Sequence, residues 1–233
     1  MRIAVDLHIH SALSPCGDSE MTPNNIVNMA YIKGLDVIAV TDHNSSENVG
    51  AVMKLGLEKG IIVIPGMEVQ SREEVHLLCY FTGLDQTMDF QEVVYKNLDG
   101  INNPGFFGRQ MIMDEHDRLV AENEKLLIGS TNLSVEQIIN QVKERGGRVI
   151  PAHVDKRSYS IISNLGFIPP SLDIKTVEVS KAGDMEKLLR EYGFLKRYHI
   201  VRSSDAHRLE DILEREFYID AACMDVSGIV NSL

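Results

Sequence analysis

A chain of 233 residues, 44% hydrophobic and 24% charged, has the length and composition to bury a substantial core. Its net charge of −11 speaks against a protein that coats nucleic-acid backbone through a basic surface, although bound divalent cations reverse the sign locally and keep phosphate substrates open. No apolar run approaches the roughly 20 residues of a membrane-spanning helix, and Asp6 and His8 arrive too early for a signal-peptide core. The expected location is the cytoplasm, where the scattered Cys16, Cys79 and Cys223 stay reduced.

The first strand is the run Ile3-Ala4-Val5, which leads into Asp6-Leu7-His8-Ile9-His10-Ser11. Residues two apart share a strand face, so His8 and His10 point the same way and form half of a metal site. A loop at Ser14-Pro15-Cys16-Gly17-Asp18 precedes a helix that Thr22 caps and Pro23 opens, with Ile26, Val27, Met29, Ala30 and Ile32 as apolar positions and Gly34 as its stop. The run Asp36-Val37-Ile38-Ala39-Val40 reads as a strand buried on both faces and ends in Thr41-Asp42-His43. A second helix takes Ser45 or Ser46 as cap, carries Val49, Val52, Met53 and Leu57 on one face, and stops at Gly60. A third strand, Ile61 to Ile64, ends in Pro65-Gly66-Met67-Glu68. This is the βαβ beat of a parallel sheet.

A fourth strand runs near Val75 to Phe81, with His76 at its start rather than its end. The beat then breaks from about 85 to 132, read as an insertion over one end of the main domain. It includes a Gly/Asn/Pro loop and a tract from Met113 to Lys125 that reads as a charged helix or as a hairpin turning at Glu115 to Arg118, the hairpin being the expectation. Ser134 and Gln137 make a capping box for a helix ending at Gly146-Gly147. The beat resumes with Arg148 to His153, Thr176 to Ser180 and His199 to His207. Roughly seven strands alternating with helices suggest an α/β fold of the closed or nearly closed barrel type, in a single domain over 1–233. His8, His10, Asp42, His43, Glu68, His153, Asp205 and His207 fall at or just beyond strand C-terminal ends, where barrels gather their chemistry.

Imidazole and carboxylate together suit zinc, manganese or iron, and about nine such residues with little cysteine favour two or three catalytic ions over a structural zinc. Such a cluster polarises phosphoryl oxygens and activates water without a serine or cysteine nucleophile. Asp42 is expected to orient a ligand or cap a helix. His116 and His199 read as surface and structural residues. Lys156, Arg157 and Lys181 follow strand ends, within reach of a substrate phosphate.

These motifs, with Val75-His76-Leu77, Pro151-Ala152-His153 and Ser204-Asp205-Ala206-His207, resemble the PHP (polymerase and histidinol phosphatase) superfamily over nearly the whole length, least well from about 85 to 132. The resemblance implies a distorted (β/α)7 TIM-like barrel with a trinuclear site at the C-terminal ends of its strands. By that analogy His8, His10, Glu68 and Asp205 hold one metal, Glu68, His76 and His153 a second, and His43 and His207 a third with one more ligand from the loop after His10. Cys16 matches that ligand by spacing, and Asp18 offers a harder oxygen; Asp18 is the expected choice. Glu68, Asp205 and His207 are the ligands assigned to the catalytic step, and Arg157 and Lys181 to substrate binding. The implied activity is hydrolysis of small phosphate esters, nucleotides or short oligonucleotides, by a metal-bound hydroxide attacking phosphorus. A long duplex is not expected as substrate. Histidinol phosphate is the alternative substrate, a catalytically silent metal-stabilised interaction module the alternative class. Hydrolysis of C–N or C–O bonds is a third possibility, weakened by the lack of a convincing metal-bridging lysine.

Overall fold

In the computed structural model, which describes all 233 residues, β1 (Arg2–Ile9), β2 (Val37–Val40) and β3 (Ile62–Gln70) lie side by side and parallel, joined by α1 (Pro23–Ile32) and α2 (Val49–Lys59). The Thr22 hydroxyl accepts from the Asn25 amide to cap α1, and Gly34 and Gly60 follow the two helices in the left-handed conformation that ends them. The expected cap of α2 is corrected. The helix starts after Asn48, while Ser45 and Ser46 are buried against Gln91. Ile32 and Leu57 are exposed, and Leu55 and Gly56 take the buried side of α2 instead.

β4 (His76–Tyr80) follows β3 through a tight turn at 71–75 with no intervening helix, and pairs with it antiparallel. Residues 84–132 then carry α3 (Leu84–Lys96), the short α4 (Pro104–Phe107) and a hairpin of β5 (Met111–Met113) and β6 (Leu119–Glu122). The capping box of Ser134 and Gln137 opens α5 (Val135–Glu144), which leads to β7 (Arg148–Pro151), α6 (Ile161–Leu165), β8 (Thr176–Ser180), α7 (Met185–Glu191), β9 (His199–Ser203), β10 (Tyr218–Asp220) and α8 (Val226–Ser232). The main sheet has the order β10-β1-β2-β3-β4-β7 and curls into a half-barrel. The parallel pair β8-β9 lies across its open side. Backbone hydrogen bonds join that pair to the sheet just beyond β7, from Val154 N to Glu178 O at 2.8 Å, and just beyond β1, from His10 N to Ala206 O at 2.9 Å.

Because β4 is antiparallel to both neighbours, its first residue lies at the same rim as the last residues of β1, β2, β3 and β7. His76 therefore joins the other polar residues through the direction of its strand. Below that rim the interior is filled by Val5, Leu7, Ile64, Leu78, Tyr80 and Ile150, while the outer faces of the strands pack against the helices. In β1, Ile3, Val5 and Leu7 belong to this inner cluster, yet Ile9 packs outward with Ile26 and Val52. A register shift between Asp6 and Ile9 reverses the alternation, and that reversal turns His8 and His10 into the barrel.

Candidate metal centre

Glu68 is the centre of the rim. Five imidazoles stand around its buried carboxylate: His43 Nδ1 and His76 Nδ1 at 2.9 Å, His153 Nε2 at 3.3 Å, His8 Nε2 at 3.4 Å and His10 Nε2 at 3.5 Å. Asp205 Oδ1 closes the other side, 3.3 Å from His8 Nε2 and 3.2 Å from His10 Nε2. His207 stacks on His10 with ring centroids 4.3 Å apart. These groups come from the ends of β1, β2, β7 and β9, from within β3 and from the start of β4. His153 and Asp205 hold positive φ values of 31° and 54°, so two of the converging residues carry backbone strain.

The surrounding hydrogen bonds set the tautomers. His8 Nδ1 lies 3.0 and 3.1 Å from the two Glu178 oxygens, so it donates there and turns Nε2 to the cluster. Ser14 Oγ donates to Asp42, accepts from the His43 amide, and takes its remaining hydrogen bond from His10 Nδ1 at 2.9 Å. His10 Nε2 is thereby left unprotonated. Asp42, fully buried, acts on the cluster through Ser11 and Ser14. His8 Nε2 and His10 Nε2 face each other at 3.1 Å, and the buried Glu68 Oε2 receives no well-formed hydrogen bond. Imidazole nitrogens and carboxylate oxygens converging in this way fit divalent cations.

Electrostatics agree. Burial alone disfavours a charged His8, but the carboxylates of Glu178, Asp205 and Glu68 outweigh it and raise its pKa well above the ordinary value. Burial, with the neighbouring His207 and His43, drives His10 the other way. Glu68 is held well below the usual carboxylate range, against its burial, by His76, His8 and His43, and Asp205 is lowered by His8 and His10.

The loop after His10 departs from expectation. Cys16, His10, His43 and His207 present ligand atoms within 4.8 Å of one another, whereas Asp18 is exposed and its carboxylate accepts from the Glu20 amide. Desolvation opposes the Cys16 thiolate, but hydrogen bonds to His207 and His43 bring its pKa down to about 7. Above the cluster is a cavity of about 260 Å³ whose wall includes Lys156, Tyr159 and Ile128. Lys156 Nζ is paired with Asp205 Oδ2. Arg157 lines a neighbouring cleft with Lys187 and Glu191, and Lys181 is exposed and borders neither space. His116 and His199 are exposed and remote from the cluster. Sequence reasoning missed Glu178. Its signal was a carboxylate in Thr176-Val177-Glu178-Val179-Ser180, where Val177 and Val179 pack outward and Glu178 must face the interior.

A family model for the PHP domain matches residues 6–136, more than half of the chain. The chain belongs to the PHP domain family. Over 69 residues, 30% of this chain and 24% of the relative, it is 33% identical to a 5′-3′ exoribonuclease of Haemophilus influenzae. Its fold is similar to that of the lesion-specific endonuclease Q of Pyrococcus furiosus, with a TM-score of 0.71 and 22% identity over 99% of this chain and 55% of that one. A candidate metal-dependent phosphoesterase of Bifidobacterium adolescentis superposes with a TM-score of 0.62 at 18% identity, over 93% of this chain and 92% of that one. The chain thus spans about half of the archaeal endonuclease and a quarter of the exoribonuclease. No helix is long and apolar enough to cross a membrane.

Proposed function

We propose that the chain is a metal-dependent phosphoesterase acting on nucleotide or nucleic-acid phosphates, with two or three divalent ions seated around Glu68. One observation carries this reading: five imidazoles and the Asp205 carboxylate converge on a single buried carboxylate at the floor of an open cavity. His8, His10, Glu68 and Asp205 would hold one ion, Glu68, His76 and His153 a second, and His43, His207 and Cys16 a third. Bound there, zinc, manganese or iron supplies Lewis acidity toward phosphoryl oxygens and a water activated near neutral pH. The chain's own contribution is to fix the ligands. Glu178 and the Asp42–Ser14 pair lock His8 and His10 in one tautomer, and the apolar floor of Leu7, Ile64 and Leu78 keeps the cluster from shifting. Lys156, the cation in the cavity wall, leaves Asp205 for a substrate phosphate oxygen and balances its charge.

The seven strands β1 to β4 and β7 to β9 are in this reading one distorted (β/α)7 barrel, and 84–132 its cap. Similarity to a nuclease and an exoribonuclease supports a nucleic-acid phosphate and gives histidinol phosphate no support. The fold neighbour endonuclease Q has been seen with a 27-mer duplex carrying an abasic lesion, which weighs against leaving duplexes aside. The test is phosphate or nucleotide release by protein loaded separately with manganese and zinc. The panel holds nucleoside mono- and bisphosphates, a 5′-phosphorylated oligonucleotide, an abasic duplex and histidinol phosphate, with Glu68→Ala as control. Release abolished in the variant supports the proposal. Intact metal loading with no member hydrolysed would point to the silent module.

A further inference from the structure

Tyr159 is placed unlike any other aromatic side chain here. Its ring lies parallel to that of His76, centroids 4.8 Å apart and 21° between planes, and its carbonyl accepts the His76 amide at 2.9 Å. One ring face is thus fixed against the metal centre, yet the residue remains 45% exposed in the cavity wall. Its backbone sits at φ 56°, a left-handed conformation unfavourable for a bulky residue, so the surrounding loop holds it there against its preference. The cavity, about 260 Å³, falls just below the roughly 300–1,000 Å³ usual for whole ligands. It takes a phosphate and its nearest substituent and leaves the rest of a substrate at the rim, where Tyr159 and Ile128 offer the apolar wall and Lys156 the positive charge.

We propose that Tyr159 is the stacking platform for a planar heteroaromatic base carried next to the reacting phosphate, and so the residue that selects nucleotide over base-free phosphate esters. This rests on the phosphoesterase reading and narrows its substrate class. Stacking of a base on an aromatic side chain tolerates any base, since every base has a π face, so the selectivity lies between base and no base.

The chain contains no tryptophan, so Tyr159→Trp creates a single indole reporter. In metal-loaded protein its emission should be quenched saturably by deoxyadenosine 5′-monophosphate and left unchanged by deoxyribose 5-phosphate. In calorimetric titrations Tyr159→Phe should bind the nucleotide as wild type does, and Tyr159→Ala about tenfold more weakly, with affinity for the sugar phosphate equal in all three. Equal quenching by both ligands, no quenching by either, or equal loss of affinity for both in Tyr159→Ala would overturn the proposal and leave Tyr159 as a cover for His76. None of these readouts needs turnover, so failure of the hydrolysis panel and failure of this inference are separable.

Discussion

Both carboxylate oxygens of Glu178 lie within 3.1 Å of His8 Nδ1, and one of them also accepts the His153 amide at 2.9 Å. A single side chain from β8 thus orients one imidazole and anchors the backbone of another. Replacing Glu178 with alanine leaves two buried donors unpaired, each costing about 1–3 kcal/mol. It should also lower metal affinity by about 10–100-fold, the usual effect of removing a group that orients a ligand. Glu178→Gln keeps an acceptor for one donor and should recover part of that loss. Competition with a chelator reads both variants; wild-type affinity in Glu178→Ala would remove Glu178 from the metal centre.

The raised pKa values of His8 and His43 have a consequence for loading. Burial opposes the charge on both, but Glu178, Asp205 and Glu68 around His8, and Glu68 with Cys16 beside His43, favour the protonated imidazoles in the metal-free protein. A cation must displace those protons. Affinity should therefore be weakest at pH 6 and rise through and beyond the ordinary histidine range, by up to tenfold per pH unit for each proton released. Calorimetry in buffers of differing ionisation enthalpy should count at least one proton leaving per chain at pH 7. An affinity flat from pH 6 to 8 would rule this coupling out.

Cys16 in place of an oxygen ligand should bias the subsite it shares with His43 and His207 toward thiophilic ions. Cobalt-loaded protein should show a sulfur-to-metal charge-transfer band that Cys16→Ser abolishes and Asp18→Ala leaves intact. Zinc should lose more affinity than manganese in Cys16→Ser. No such band in the wild-type protein, with cobalt affinity kept in Cys16→Ser and lost in Asp18→Ala, would return the ligand role to the aspartate.

What the sequence made legible follows from the range of the forces involved. The first two βα units were readable because their signals are local: caps at Thr22, left-handed glycines at 34 and 60, and unbroken apolar strands. The cluster of imidazoles and carboxylates was readable because residues at strand ends converge whatever the helices outside do. The direction of β4 was not, since the turn at 71–75 carries no glycine or proline and a short apolar strand looks the same in either direction. The choice between Cys16 and Asp18 depends on how the loop folds against His207, whose carbonyl accepts the Asp18 amide at 2.9 Å, a contact made across nearly the whole chain. The register shift in β1 lies equally beyond a pattern of alternating residues, because it is set by pairing with β2.

Gly66 shows how the antiparallel pairing and the metal centre depend on one another. A Cβ at this position would lie 2.6 Å from the Cys79 carbonyl oxygen and 3.1 Å from Tyr80 Cδ1, both in the strand paired with β3. Neither can retreat cheaply, since one is backbone and Tyr80 is fully buried with its hydroxyl donating to Leu7 O at 2.7 Å. Gly66→Ala should push β3 and β4 apart at a cost of about 1–3 kcal/mol, or roughly 3–10 °C in Tm. Glu68 lies two residues further on the same face, so the displacement reaches the carboxylate at the centre of the cluster and bound metal should fall with stability. Gly60→Ala is the control. It is strained by its φ of 72° but meets nothing within 4 Å, and it ends a helix on the outer layer. It should lower Tm by a few degrees and leave metal content unchanged. Equal metal content in the two variants would show that the glycine of Pro65-Gly66-Met67-Glu68 serves strand packing alone.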